Sequence, residues 1–395
     1  MKKVISLALL GASTSLMAMY AEQAYLYKDP RIMGMGGANI AVGSYSTSVF
    51  SNPAGLANIK KDDGFVVDLF NIGVSASGEI QNFMNDLQDA NDEEDDGKRL
   101  EATADVLSKY SGEHFHIGVD NYTSISKNSD MFAWSIGLLT ATDINLMAHS
   151  NGSTNGELLE TTSRAYGGVV VGIAKPYDTE IGRLDVGMSF KYITEKSYEG
   201  TLGISELVSG DISDKFKDRY ERTSSGIGVD IGATYKPYKD NFWHPAIAFS
   251  LLNLGSIDLD NNYGGQPMTL NIGASISPEV SYISKLVFAV DYVDLLGANQ
   301  LRVYNYDEND NVEYTDYDST SFMKNLRFGT SLGLIDSTYF STTLNGGFYD
   351  GAYTAGLDMQ LTIIKLNIAT YQEEVGDNTT SITDRRYIAQ IGIGW

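Results

Sequence analysis

The stretch RLDVGMSFKY, residues 183–192, decides the fold. Leu184, Val186, Met188, Phe190 and Tyr192 share one face of an extended chain, and Asp185, Gly187, Ser189 and Lys191 share the other, because successive side chains of a strand point to opposite sides. The pattern returns in GIGVDIGATY (226–235), where Ile227, Val229, Ile231, Ala233 and Tyr235 oppose Gly226, Gly228, Asp230, Gly232 and Thr234. MTLNIGASI (268–276) repeats it again, with Met268, Leu270 and Ile272 against Thr269, Asn271 and Gly273. A water-soluble sheet would present Lys, Glu and Thr on its wet face. Here that face is Gly, Ser, Asn and an occasional charge, which suits the inside of a closed barrel whose apolar face meets lipid.

Segments of this kind recur from about residue 65 to the end and amount to about 14 strands, an even number as bacterial barrels require. Among them are 162–175 and 182–197. Their connections alternate between short turns, such as 127–130 and 335–337, and long polar loops at 77–112, 198–222 and 295–320. That asymmetry is expected of an outer-membrane barrel with periplasmic turns and external loops. Helical spacing of Ile80, Phe83, Met84 and Leu87, of Leu100, Ala104 and Leu107, and across 204–220 predicts short helices in those loops. The fold class is all-β: a closed antiparallel transmembrane β-barrel with short helices in external loops.

Composition agrees. The 395 residues are 43% hydrophobic but only 20% charged, with 40 Gly and 25 Tyr. A net charge of −23 argues against nucleic acid as a partner. With no cysteine there is no disulfide framework, thiolate nucleophile or zinc–thiolate site. Lys2 and Lys3, the apolar run Val4 to Met17 and small residues at Ala18 and Ala21 follow the plan of a secretory signal over residues 1–21. Trp134 and Trp243 suit interface girdles. Tyr387, Ile391, Ile393 and Trp395 close the chain on an amphipathic strand with a terminal aromatic, the form of a barrel-assembly signal.

Candidate chemistry is sparse. Gly34, Gly36 and Gly37 lack the third glycine of a dinucleotide turn and the lysine of a P-loop. In DENDNVEYTDYD (307–318), Asp307, Asn309 and Asn311 match calcium-loop positions, but Val312 and Asp318 stand where Gly and Glu are needed. His114 and His116 share a face without a third metal ligand. No G-x-S-x-G elbow occurs. No cofactor, metal site or enzymatic activity is expected.

Gly36-Gly37-Ala38, Ala41 and, after a polar spacer, Asn52-Pro53-Ala54 lie before the first strand. In that position they resemble the FadL family of outer-membrane transporters of hydrophobic compounds. The form GMGGA…NPAGLA also looks like its exported TraF-like (conjugal transfer) branch. The resemblance implies a hatch over residues 22–63, carrying Gly34, Gly36, Gly37, Ala38, Asn52, Pro53 and Ala54, inside a barrel of residues 64–395. It implies diffusive uptake of long-chain fatty acids, hydrocarbons or other hydrophobic small molecules or lipids. Release would be lateral, through a strand kink placed at Gly137, after capture by Leu202, Ile204, Leu207 and Val208. It further implies residence in a Gram-negative outer membrane, against lipid and lipopolysaccharide, after insertion by the barrel-assembly machinery. One departure is a polar lumenal face, with Asp120, Asp185, Lys191, Asp230, Asp291, Arg327, Asp358 and Lys365. The second functional expectation is therefore a non-transport barrel that serves conjugation or envelope assembly by binding protein partners.

Overall fold

Lipid-facing alternation is realised as a closed wall. The computed structural model describes residues 26–61, 64–129, 131–148, 157–208, 221–237, 241–259, 265–298, 301–306, 312–317, 322–337, 339–375 and 382–395. Residues 1–25, where a signal sequence is expected, 209–220, and Asp307, Asn309, Asn311 and Asp318 lie outside the described residues.

The strands of the first half are β1 (Phe65–Ser77), β2 (His114–Asn128), β3 (Ala133–Ala148), β4 (Glu157–Thr179), β5 (Gly182–Gly203), β6 (Arg222–Pro237), β7 (Ala246–Leu252) and β8 (Thr269–Ile276). The second half has β9 (Lys285–Tyr292), β10 (Leu301–Tyr306), β11 (Val312–Tyr317), β12 (Leu326–Asp336), β13 (Phe340–Tyr349), β14 (Ala352–Leu361), β15 (Ile364–Glu374) and β16 (Thr383–Gly394). Fourteen of them form one closed antiparallel barrel in which β1 pairs with both β2 and β16. β10 and β11 make a separate hairpin within the loop between β9 and β12, an element the sequence reading left as loop.

The wall is inside out relative to a soluble sheet. On β5, Val186, Met188, Phe190 and Tyr192 are exposed while Asp185, Gly187, Ser189 and Lys191 are buried. Neighbouring strands add Ile136, Leu138, Val169, Val171, Phe249 and Ile272 to the exposed apolar belt. At the short-turn end Phe65, Phe242, Trp243, Tyr282 and Trp395 are exposed, with Trp134 set edge-on to Phe65, a girdle of the membrane-interface kind. No helix among the described residues is long and apolar enough to cross a membrane.

β4 and β5 run further than the sequence pattern indicated, to 23 and 22 residues. At about 3.3 Å per residue each is about 70 Å long, well beyond what a tilted strand needs to cross a bilayer. Above Tyr192 the outward places pass to Thr194 and Lys196, so the extension stands clear of the apolar belt.

Helices Ile80–Asn91 and Asp96–Lys109 cover the long-loop side. Phe83 stacks on Phe115 with ring centres 4.4 Å apart, and Tyr110 meets both rings edge-on. The loop after β7 turns inward, burying Ile257 and Leu259 in the cluster formed by Tyr27, Phe50, Leu56 and Tyr122.

Candidate functional site

The segment 26–61 touches strands around the whole closed wall, which places it in the lumen. Tyr27 accepts a hydrogen bond from Gln390 of β16 (2.5 Å), and Lys28 pairs with Glu373 of β15. The hydroxyl of Thr354 on β14 donates to the Gly34 carbonyl (2.8 Å). The amides of Asn39 and Ile40 donate to the Asp291 carboxylate on β9 (2.6 and 2.8 Å). Ser46 donates to Asp68 of β1 (2.7 Å), and Asn128 of β2 donates to the Ala57 and Ile59 carbonyls (3.0 and 2.6 Å).

Local sequence explains the path. Asp29 caps the helix Pro30–Gly34 by accepting from the Arg31 amide (3.0 Å), with proline at the first turn where no amide is missed. Gly36 and Gly37 then take positive φ of 68° and 74° and reverse the chain. Asn52 does three jobs. It caps the 3₁₀ helix Pro53–Asn58 by accepting from Ala54 (3.0 Å), and its amide donates to the Ile40 carbonyl (2.7 Å) and to Thr234 of β6 (3.1 Å). The Asn-Pro-Ala tripeptide is thus a clasp between the two halves of the segment and the wall. Ala54 is fully buried beneath Gly187, where any β-carbon would stand 2.3 Å from the Ala54 nitrogen.

Several lumenal charges are paired. His114 meets Asp384 (3.2 Å), Asp384 meets Arg386 (2.6 Å), Arg386 meets Glu373 (2.6 Å), and Glu373 meets Lys28 of the inner segment. Burial alone would lower the Lys28 pKa, but the Glu373 carboxylate outweighs it and holds the ammonium charged. His116 bonds Asp143 (2.9 Å) and Ser75 (2.8 Å). Lys191 pairs with Asp230 (2.9 Å), and Lys365 with Asp68 (2.6 Å). Arg327 lies over the Tyr349 ring at 3.8 Å. Among the described residues no three His, Asp or Glu side chains gather as a metal site.

Two cavities flank the segment. One, of about 80 Å³, lies on the long-loop side between Leu26–Lys28, the β1–β4 wall and Gln266 of the inward loop. The other, of about 220 Å³, lies on the short-turn side and is polar, lined by Arg31, Tyr45, Lys285, Asp358 and Lys365.

Other sequence-singled residues fall as follows. Gly137 lies in β3, which pairs with β2 and β4 without a register shift. A β-carbon there would sit 2.4 Å from the Tyr122 ring, so the glycine makes room for that tyrosine. Register shifts occur instead between β12 and β13, at the start of β4 and in β1, where a one-residue bulge between Asp68 and Ile72 puts Phe70 at φ 50° and 63% exposed. Leu202 is the buried end of β5 opposite Leu159, not loop. Ile204 and Leu207 begin a short helix that packs on the cluster under the loop helices, and Val208 ends it half-buried. Tyr387, Ile391, Ile393 and Trp395 point outward from β16. Sequence reasoning missed Tyr27, Lys28, Asp29 and Arg31, which precede the motif without periodicity, and the inward loop.

Solved structures share this architecture at low identity. The TodX deltaS2S3 mutant monoaromatic hydrocarbon channel aligns with a TM-score of 0.55 and 10% identity, over 93% of this chain and 98% of that one. The Ralstonia pickettii toluene transporter TbuX gives 0.54 and 12%, over 93% and 97%. The P. putida toluene transporter TodX gives 0.52 and 10%, over 93% and 98%. The likeness is one of fold. No curated protein sequence matches the chain. A family model described as "F plasmid transfer operon, TraF, protein" matches residues 49–292, more than half of the chain, from the second half of the inner segment through β9, and the chain belongs to that family.

Proposed function

We propose that this protein is a channel of the Gram-negative outer membrane that admits hydrophobic small molecules by diffusion. In this reading residues 1–21 are a signal sequence, 22–63 a hatch and 64–395 the barrel. The observation that carries it is a closed 14-strand wall, lipid-facing outside, with a separately folded segment filling its lumen. Such a barrel conducts only when the segment moves. The likeness to hydrocarbon channels supports the hydrophobic class of cargo. The β1 bulge at Phe70 lies opposite Tyr122 and Thr123, next to the Gly73–Asp120 pair that borders the loop-side cavity, so lateral release is assigned there rather than at Gly137. Ile204, Leu207 and Val208 serve the external gate, and the outward aromatic end of β16 serves recognition by the assembly machinery.

Purified protein in proteoliposomes is expected to take up alkanes, monoaromatics or fatty acids, and to carry hydrophobic molecules visible by mass spectrometry after detergent extraction. No uptake and no bound molecule across those classes would sink the transport reading.

One observation favours a second reading. Several lumenal charges are mutually paired, and the inner segment meets the wall at backbone-to-backbone distance, as at Gly34–Gly356. A permanently closed barrel would act in envelope assembly or conjugation through partners held by its external loops. Loss of mating or envelope integrity with a wild-type uptake profile would support it.

A further inference from the structure

The loop-side cavity presents acceptors without donors of their own. Asp120 Oδ1 is buried and has no hydrogen-bond partner among the described residues, and the same is true of Gln266 Oε1. Both side chains line the cavity. Its fixed cations are already matched, Lys28 with Glu373 and Arg164 with Glu195 at 3.9 Å. Asp143 is matched by His116 (2.9 Å). Among the described residues Asp120 has no such match. Three tyrosines, Tyr27, Tyr166 and Tyr371, line the space together with small, aliphatic and hydroxyl side chains. Lys28 already lies 5.8 Å from the centre of the Tyr371 ring, which shows a cation accommodated on one of these faces. At about 80 Å³ the cavity offers several times the space one water needs.

A buried carboxylate and a buried amide oxygen left unpaired are costly unless a donor arrives. Aromatic faces around them favour a cation over a neutral donor. We propose that this cavity binds a small protonated amine with a short apolar substituent, its ammonium on Asp120 and Gln266 and its alkyl part against the tyrosine rings. The assignment concerns binding and stands apart from whether the barrel conducts.

The test is calorimetry on the full chain in a maltoside detergent, with n-butylammonium chloride as probe and n-pentanol as its neutral counterpart. Butylammonium is expected to bind and pentanol to give no saturable heat. Asp120→Asn, which keeps shape and removes charge, is expected to weaken butylammonium by about tenfold or more. Tyr166→Leu, which keeps bulk and removes the ring, is expected to weaken it as well, and is read independently should the first variant fail to show heat-modifiable mobility. Lipid discs separate the two sources of such an amine. Weaker apparent binding in phosphatidylethanolamine than in phosphatidylglycerol discs assigns the site to a lipid headgroup; equal binding assigns it to a free amine. Absence of butylammonium binding, equal binding of pentanol, or unchanged affinity in both variants would overturn the proposal.

Discussion

Gly36→Ala is the sharpest probe of how the inner segment is held. Gly36 has φ +68°, and a β-carbon there would stand 2.2 Å from the Phe328 carbonyl oxygen and 2.7 Å from the Phe348 nitrogen. Both are backbone atoms of paired wall strands, β12 and β13, so neither can swing aside as a side chain would. The left-handed conformation costs alanine about 1–2 kcal/mol. Relieving the contact with the wall costs about 1–3 kcal/mol more. Gly64→Ala is the matched control, because Gly64 has φ +69° and nothing within 4 Å. It carries only the first cost. The difference, about 1–3 kcal/mol, is a shift of about 5- to 150-fold in the ratio of docked to released segment. Neither residue belongs to a barrel strand, so heat-modifiable mobility should persist in both. Limited proteolysis of the N-terminal segment and conductance in planar bilayers should rise for Gly36→Ala and stay near wild type for Gly64→Ala. Equal behaviour of the two variants would refute the argument that close approach, rather than backbone conformation, fixes the segment.

Acid should loosen the segment through Asp29. Burial alone would raise that carboxyl's pKa, but the Arg31 guanidinium and hydrogen bonds from Arg31 and Thr47 hold it below the ordinary range. Its stabilising contribution is therefore complete above the unfolded pKa of about 3.9 and lost as pH falls through the lower folded value. Asp29→Asn should remove that acid-side change in proteolytic sensitivity, and an unchanged pH profile would count against it. Gly137→Ala should cost about 1–3 kcal/mol by displacing the Tyr122 ring. Tyr122→Ala in the same chain should recover part of the loss, and a double-mutant cycle without coupling would contradict the packing role. Phe83→Ala should cost the docked loop helices about 3–5 kcal/mol, since that ring is fully buried between Phe115 and Tyr110. Hydrogen exchange should rise across 80–109 while the barrel amides stay protected; uniform exchange would refute local docking.

The wall was legible because lipid imposes period two on every strand that crosses it. Residues 183–192 already state which side chains face outward, and β5 realises that assignment one for one. The loop helices were legible through a different period, the helical spacing of Ile80, Phe83 and Leu87. What escaped lacks a period. The β1 bulge adds one residue at Phe70, which no alternation announces. The inward turn of the β7–β8 loop rests on Ile257 and Leu259, two apolar residues in a polar stretch. The cavity depends on Asp120, Tyr166, Gln266 and Tyr371, which are brought together only by barrel closure.

The glycines of the N-terminal motif, Gly34 and Gly36, show how far a one-dimensional reading reaches. Their partners are remote: Gly34 lies against Gly356, and Gly36 against Gly347. No local pattern links residues about 320 apart. Yet half of each contact was visible in the wall, as small residues on the lumenal face. A β-carbon on Gly172 would meet Val49 and Leu56, one on Gly187 would meet Pro53 and Ala54, one on Gly232 would meet Asn52, and one on Gly329 would meet Met35. A water-filled channel places no such demand on its lining, since solvent yields to any side chain. Glycine is required where another backbone must come within contact distance. The small polar face that first distinguished this barrel from a soluble sheet is therefore the imprint of the segment it holds. The same reasoning covers Gly226 and Gly228, whose β-carbons would strike Ile257 of the inward loop rather than the N-terminal segment. Among the described residues two separate stretches of chain thus occupy the lumen.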